Sequence, residues 1–287
     1  PPPPPPPVLI TRPPPIPPRY GSSAASDVYK RHVTIQSIII KFLTEAIKDI
    51  LPDTNIEVSK EGVRILSMDP THTTLVHMNL GCANFEKFHV THNQIIGVNM
   101  INLFKLIKTI TNNDTLALFV HKNDMNHLGV KIENSSRKAS TTFKLNLMDL
   151  NNGNIRRPPA QFSSVITMKS TDFQKICRDM VNISDEIEIK AVDNSLILTC
   201  KGEFAEQETV IGECSSNGIS FCQNCKDSEI IQCIFSLKYL TLFAKCTNLC
   251  PSIQIYLKND YPLIVCYNVG SLGEIKMCLA PKHASSN

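Results

Sequence analysis

The chain has 287 residues, enough for about two domains at roughly 150 residues each. Hydrophobic residues make up 42% and charged residues 19%, a balance that excludes disorder throughout, and no apolar run approaches the roughly 18 residues of a membrane-spanning helix. The net charge is +3, from 29 basic and 26 acidic side chains, so attraction to an anionic partner has to come from where charge is placed rather than from its total.

Twelve of the nineteen prolines fall within the first 18 residues. Residues 1–28 are therefore expected to be an extended, solvated, polyproline-type tail with little to bury. From residue 29 the pattern changes. Ile35, Ile38, Ile39, Phe42, Leu43, Ala46, Ile47 and Ile50 keep helical spacing and predict a helix over 34–50. Strands are expected at 55–58, 63–67, 74–79 and 86–90. A second amphipathic helix covers 100–110, followed by strands at 116–120, 128–133 and 141–147.

Residues 149–162 include NNGNIRRPPA, whose Asn, Gly and paired Pro mark a linker. Beyond it the pattern starts again. A strand is predicted at 164–168, a helix at 170–181, and strands at 186–191, 196–200 and 208–211. A helix at 236–245 and strands at 253–257, 263–267 and 274–279 complete it. Phe143-Lys144-Leu145-Asn146-Leu147 matches Ile275-Lys276-Met277-Cys278-Leu279 in pattern, 132 positions apart, and Ile56-Glu57-Val58 echoes Ile187-Glu188-Ile189 at 131. The shared offset argues for two copies of one α+β unit, at 29–148 and 163–283, with a short tail at 284–287.

Each predicted helix sets two cations opposite its apolar face. Lys41 and Lys48 lie seven apart, Lys105 and Lys108 three apart, Lys175 and Arg178 three apart, and Lys238 and Lys245 seven apart. One such pair is what any solvated helix face shows; four in a repeated architecture form a pattern. Acidic Glu45, Asp172 and Asp179 lie on or near the same helices. A lysine ammonium is a mobile point charge suited to phosphate, and no helix carries the Arg, Asn and Gln array that reads base edges. The expectation is salt-sensitive DNA contact that is indifferent to sequence.

Catalytic and metal signals are weak. Cys222-Gln223-Asn224-Cys225 has Cys214 and Cys233 nearby, but only one pair is tightly spaced, and reduced free thiols are the reading preferred over zinc. No His is followed two places later by Glu, as a zinc deaminase requires. His89 and His92 have no carboxylate to complete a metal set. There is no phosphate-binding loop. Eleven cysteines, an odd number, do not suit a small disulfide framework, and no charged-then-apolar leader opens the sequence; both point to a reducing intracellular compartment.

The segment Gly62-Val63-Arg64-Ile65-Leu66-Ser67-Met68-Asp69-Pro70-Thr71-His72 resembles the early strand-and-loop signature of the proliferating cell nuclear antigen (PCNA) family of sliding clamps. Leu147-Met148-Asp149-Leu150, Ile176-Cys177-Arg178-Asp179, Tyr239-Leu240 and Leu279-Ala280-Pro281-Lys282 are similarly placed. The resemblance is collinear from about His32 to His283. It implies an α+β subunit of two similar clamp domains, three of which close head-to-tail into a ring, with helices lining the inner face and antiparallel sheets outside. The eight helix cations are carried over as DNA-facing. Segments 140–147 and 207–215 would pair between subunits.

The resemblance also implies a partner groove under the linker that accepts peptides with one aliphatic and two aromatic anchors. Its positions here are Met68, His72, Thr73, Ile155, Phe162, Pro262, Leu279, Ala280 and Pro281. The function implied is non-enzymatic: a homotrimeric polymerase processivity factor on double-stranded DNA, with no cofactor, no metal and no membrane. A separate ATP-dependent clamp loader would open it, at an intracellular site of DNA replication such as the nucleus or a viral factory. A subunit of a heterotrimeric checkpoint-type clamp and a non-encircling DNA- or polymerase-binding module remain open. Three departures stand out: Arg156 and Arg157 in the linker, the proline-rich start, and the lack of an acidic tail after Lys282.

Overall fold

Strand pairing runs without a break from one half of the chain into the other. The computed structural model describes residues 37–134, 136–151, 162–192, 194–214, 218–223 and 231–282. The proline-rich segment, the linker residues 152–161 and the last five positions lie outside these. In the first half the order is α1 (Ser37–Ile47), β1 (Asp53–Ser59), β2 (Gly62–Met68), β3 (Thr74–Gly81), β4 (Gln94–Asn99), α2 (Met100–Ile107), β5 (Asp114–His121), β6 (Asp124–Asn134) and β7 (Ala139–Asn146).

The second half follows with β8 (Ser164–Lys169), α3 (Ser170–Met180), β9 (Glu186–Val192), β10 (Ser195–Lys201), β11 (Glu206–Gly212), β12 (Ser220–Gln223) and β13 (Ile231–Ser236). It continues through α4 (Leu237–Phe243), whose last residue leads into a 3-10 turn at Ala244–Leu249, to β14 (Ser252–Leu257), β15 (Leu263–Asn268) and β16 (Gly273–Leu279). The two halves repeat one plan. Hairpin β1–β2 corresponds to β9–β10, β4 and β13 each flank the first strand of that hairpin, and β5–β6–β7 corresponds to β14–β15–β16. Ser37 and Ser170 mark the same place in both copies: each is buried at the first residue of its helix and donates its hydroxyl to a carbonyl, of Asp114 and Cys250 respectively, at 2.6 Å.

Three sheets result. Nine strands run in the order β12-β8-β14-β15-β16-β3-β2-β1-β4; four run β11-β10-β9-β13; three run β5-β6-β7. The link between halves is β16 against β3, antiparallel, from Leu279 opposite Thr74 to Gly273 opposite Leu80. Period-two alternation sends Ile275, Met277 and Leu279 into the core beneath the helices, all at 0% exposure, while Lys276 and Cys278 face the other way. The helices α1 to α4 cover that core side, each burying an apolar stripe such as Met100, Leu103 and Ile107 of α2.

The strand expected at 86–90 is absent. A 3-10 turn at Cys82–Asn84 gives way to irregular backbone, in which Phe85 and Phe88 stack at 5.3 Å to cover the core, and the strand lies at Gln94–Asn99 instead. Gly97 lets another segment cross this strand. The chain at Met148 crosses so closely that a Cβ on Gly97 would stand 2.2 Å from the Met148 carbonyl oxygen, and Met148 N–H donates back to Gly97 at 2.9 Å. Strands β12 and β13 were not expected either. The fourth helix is shorter as an α-helix than expected, since its end tightens into the 3-10 turn.

Candidate DNA-facing helices and partner groove

Five of the eight cations lie within the helices (Lys41, Lys105, Lys175, Arg178 and Lys238), Lys48 and Lys108 directly follow α1 and α2, and Lys245 lies in the 3-10 turn after α4. Lys105, Lys108, Lys175, Arg178, Lys238 and Lys245 are exposed, and Lys105 donates within its own helix to Asn102 Oδ1 at 3.3 Å. Lys41 is half-buried and donates to the Ile110 carbonyl at 3.0 Å. Lys48 donates to Asp49 Oδ1 at 2.8 Å and lies over the Phe104 ring, 5.4 Å from its centroid. Lys245, from the second half, donates to Asp49 Oδ2 at 2.6 Å. Burial opposes ionisation of Asp49, but the hydrogen bonds from Lys245 and Lys48 outweigh it and hold the carboxyl below its ordinary range. The structure thus divides the set: six cations are exposed, of which Lys245 is also bridged to Asp49, and Lys41 and Lys48 are half-buried and serve the fold.

On the opposite face, away from the helices, strand register lines up one row across the link between halves: Met68, Leu75, Cys278, Ile264, Tyr256 and Val165. Ile264 and Cys278 are buried at 2% and 8% yet lie outside the main core cluster, so the row is a second, smaller apolar layer. Phe162 packs edge-on against Tyr256 at 5.3 Å and Tyr261 at 5.6 Å, and Lys258 lies over the Tyr261 ring.

Most of the expected groove residues gather around this row. Met68, His72 and Thr73 come from the end of β2 and the loop after it, and Ala280 and Pro281 from the chain after β16, where Ala280 N–H donates to Thr73 O at 3.0 Å. Phe162 and Pro262 flank the far end. Leu279 differs. At 0% exposure it points into the helix-side core and backs the groove instead of lining it, because it is one residue out of phase with Cys278. Ile155 lies outside the described residues. The row adds Leu75, Cys278, Ile264 and Tyr256 to the candidate residues, a signal contained in the alternation of the predicted strands at 74–79, 253–257, 263–267 and 274–279, and Tyr261 joins them from the turn between β14 and β15.

The loop at 69–73 is organised by one carboxylate. Asp69 Oδ1 accepts from Thr73 N–H at 2.8 Å and Thr74 N–H at 2.6 Å, and Oδ2 accepts from Thr71 N–H at 3.2 Å and the Thr71 hydroxyl. Burial raises the Asp69 pKa, but these donors more than offset it and leave the group more acidic than usual. His72 takes a left-handed conformation (φ 57°) and is exposed at the loop tip.

The cysteines do not converge. Cys222 is exposed on β12, Cys233 belongs to β13 in a different sheet, and Cys225 lies outside the described residues. Among the described residues no group of three or more His, Cys, Asp or Glu is placed to hold a metal, and no described helix is long and apolar enough to cross a membrane.

Residues 32–154 match the family described as proliferating cell nuclear antigen, N-terminal domain, and residues 156–282 match its C-terminal domain. The chain is also 36% identical over 252 residues to a protein of Paramecium bursaria Chlorella virus 1 named "Probable DNA polymerase sliding clamp 1". The alignment covers 86% of this chain and 95% of that protein. The chain belongs to the PCNA family of DNA sliding clamps. Its fold is the two-domain α+β clamp plan, and its class is the non-enzymatic processivity factors of DNA replication.

Proposed function

We propose that three copies of this chain close head-to-tail into a ring around duplex DNA, tethering a DNA polymerase and other replication and repair proteins through short peptides seated in the groove. The observation that carries the reading is a pairing made once and left open once. Within the chain, β16 of the second domain pairs with β3 of the first. The equivalent of β16 in the first domain is β7, and the equivalent of β3 in the second is β11; both are the terminal strands of their sheets. Repeating the same pairing between chains would join β7 of one to β11 of the next and leave neither edge exposed.

The register transposes directly. With offsets of 132 for β16 onto β7 and 131 for β3 onto β11, the pair Lys276 and His77 becomes Lys144 and Glu208, and Ile275 with Met78 becomes Phe143 with Thr209. Opposite charges then face each other across the seam, where cross-strand pairs stabilise. Val210, 58% exposed on β11, gains cover.

In a closed ring the helices turn inward, and Lys105, Lys108, Lys175, Arg178 and Lys238 face the phosphates. Water-mediated contacts to a periodic backbone exchange readily, so the ring slides, while leaving requires a seam to open. Tethering holds the polymerase at high effective concentration beside its template. A separate ATP-dependent loader opens the ring, and the place of action is an intracellular site of replication, nuclear or viral. Native mass measurement tests the assembly: a mass of three chains supports it, and a persistent monomer overturns it. Retention on circular DNA at high salt, lost when the DNA is cut, distinguishes encirclement from surface binding.

A further inference from the structure

We infer that Tyr239, which lies outside the groove, is a positioning residue for it. The inference rests on the groove reading above. One wall of the groove, with Met68, His72 and Thr73, belongs to the first domain; the other, with Ala280 and Pro281, belongs to the second. The loop at 69–73 is stiff in itself because Asp69 collects its donors, yet that internal order does not fix where the loop sits relative to the second domain. Two ties do. One is the backbone bond from Ala280 N–H to Thr73 O at 3.0 Å. The other is the Tyr239 phenol, which shares a hydrogen bond with the Thr71 hydroxyl at 2.7 Å and donates to Asp69 Oδ2 at 3.3 Å.

Tyr239 is well founded for this role. It sits on α4 between Leu237 and Leu240, both 0% exposed, so its ring is a strut from the core of the second domain to the loop of the first. Removing only the phenol oxygen leaves Asp69 its four contacts from Thr71, Thr73 and Thr74, and leaves the loop's own shape intact. What is lost is the side-chain tie that steadies the loop tip against the second domain, while the Ala280 bond to Thr73 and the pairing of Thr74 with Leu279 remain, so the width of the groove is held less tightly. A peptide would then have to order the loop as it binds.

The test uses the full chain and a synthetic peptide with one aliphatic and two aromatic anchors, its affinity measured by calorimetry. Wild type is expected to bind, and Met68→Glu on the rim to abolish binding. Tyr239→Phe is expected to weaken binding about fivefold, the scale of one neutral hydrogen bond, and to lower the melting temperature by no more than about 4 °C. Thr71→Val, which removes the Tyr239 bond and also the loop's own Thr71 hydroxyl contact to Asp69, is expected to weaken it at least as much, and the double variant to fall short of the product of the singles, because they share the Thr71–Tyr239 bond. Loss of binding in Met68→Glu alongside wild-type affinity in Tyr239→Phe overturns the inference alone. Failure of the wild type to bind, or undiminished binding by Met68→Glu, overturns the groove reading and this inference with it.

Discussion

Asp49 of the first domain and Lys245 of the second meet at 2.6 Å on the helix side of the molecule, with Lys48 on the other carboxylate oxygen at 2.8 Å. A carboxylate set among cations proposed to face DNA both joins the domains and withholds two positive charges from phosphate. Asp49→Asn is expected to free them. The slope of log affinity against log salt should steepen by up to about two, since each phosphate contact contributes about 0.9. An unchanged slope would show that Lys48 and Lys245 meet no phosphate.

The exposed cations should act differently from the bridged ones. Charge reversal at Lys105 and Lys175, which stand in solvent on α2 and α3, is expected to reduce clamp-supported DNA synthesis while native mass stays that of the assembly. Undiminished synthesis by the double variant would remove these residues from the DNA path.

The transposed register predicts a specific partner across the seam. Lys144→Glu should place like charges opposite Glu208 and shift native mass toward the single chain, and adding Glu208→Lys should restore assembly. Lys144 also contacts Asp124 within the chain at 3.1 Å, so the restoring variant separates the seam from this local effect.

Asp49 and Asp69 both have lowered pKa values in the folded chain. A depressed folded value means stability that is fully present above the unfolded value, about 3.9, and that is lost as pH falls through the folded one. Melting temperature should therefore drop as pH falls below about 4, and the drop should be shallower in Asp49→Asn, which has one of these carboxylates removed.

Thiol reactivity should follow burial. Burial pushes the Cys177 thiol up to about 12, and burial together with Glu274 does the same for Cys266, whereas Cys222 is exposed. Mass spectrometry after brief alkylation of the native protein is expected to find Cys222 modified and Cys177 and Cys266 intact until the chain is unfolded.

Much of this fold could be read from residue spacing. The apolar stripe of residues 100–110 gives α2 because each contact it makes is local to one helix face, and the offset of 131 to 132 exposes the repeat because equivalent strands have equivalent surroundings. Where the reading failed, the cause was contact at a distance. Nothing near Gly97 announces that Met148 crosses over it, and the stacked Phe85 and Phe88 imitate strand alternation while covering the core from irregular backbone. The proposed groove rests on resemblance at Met68 and Ala280, while Leu279 and Cys278 are told apart only by register, which one residue of slip reverses. The cations were all visible in the sequence, yet the engagement of Lys245 with Asp49, 196 positions away, was not.

The nine-stranded sheet that crosses from one domain to the other makes the two kinds of junction unequal. Where β16 meets β3, the ladder is reinforced by Tyr239, by Ala280 and by the Asp49 bridge, and the polypeptide itself runs through. In the proposed ring, a junction between separate chains would have the ladder without the covalent thread. Any force that prises such an assembly apart will therefore find its weakest point between molecules, and each clamp subunit should travel through loading and unloading as a rigid arc.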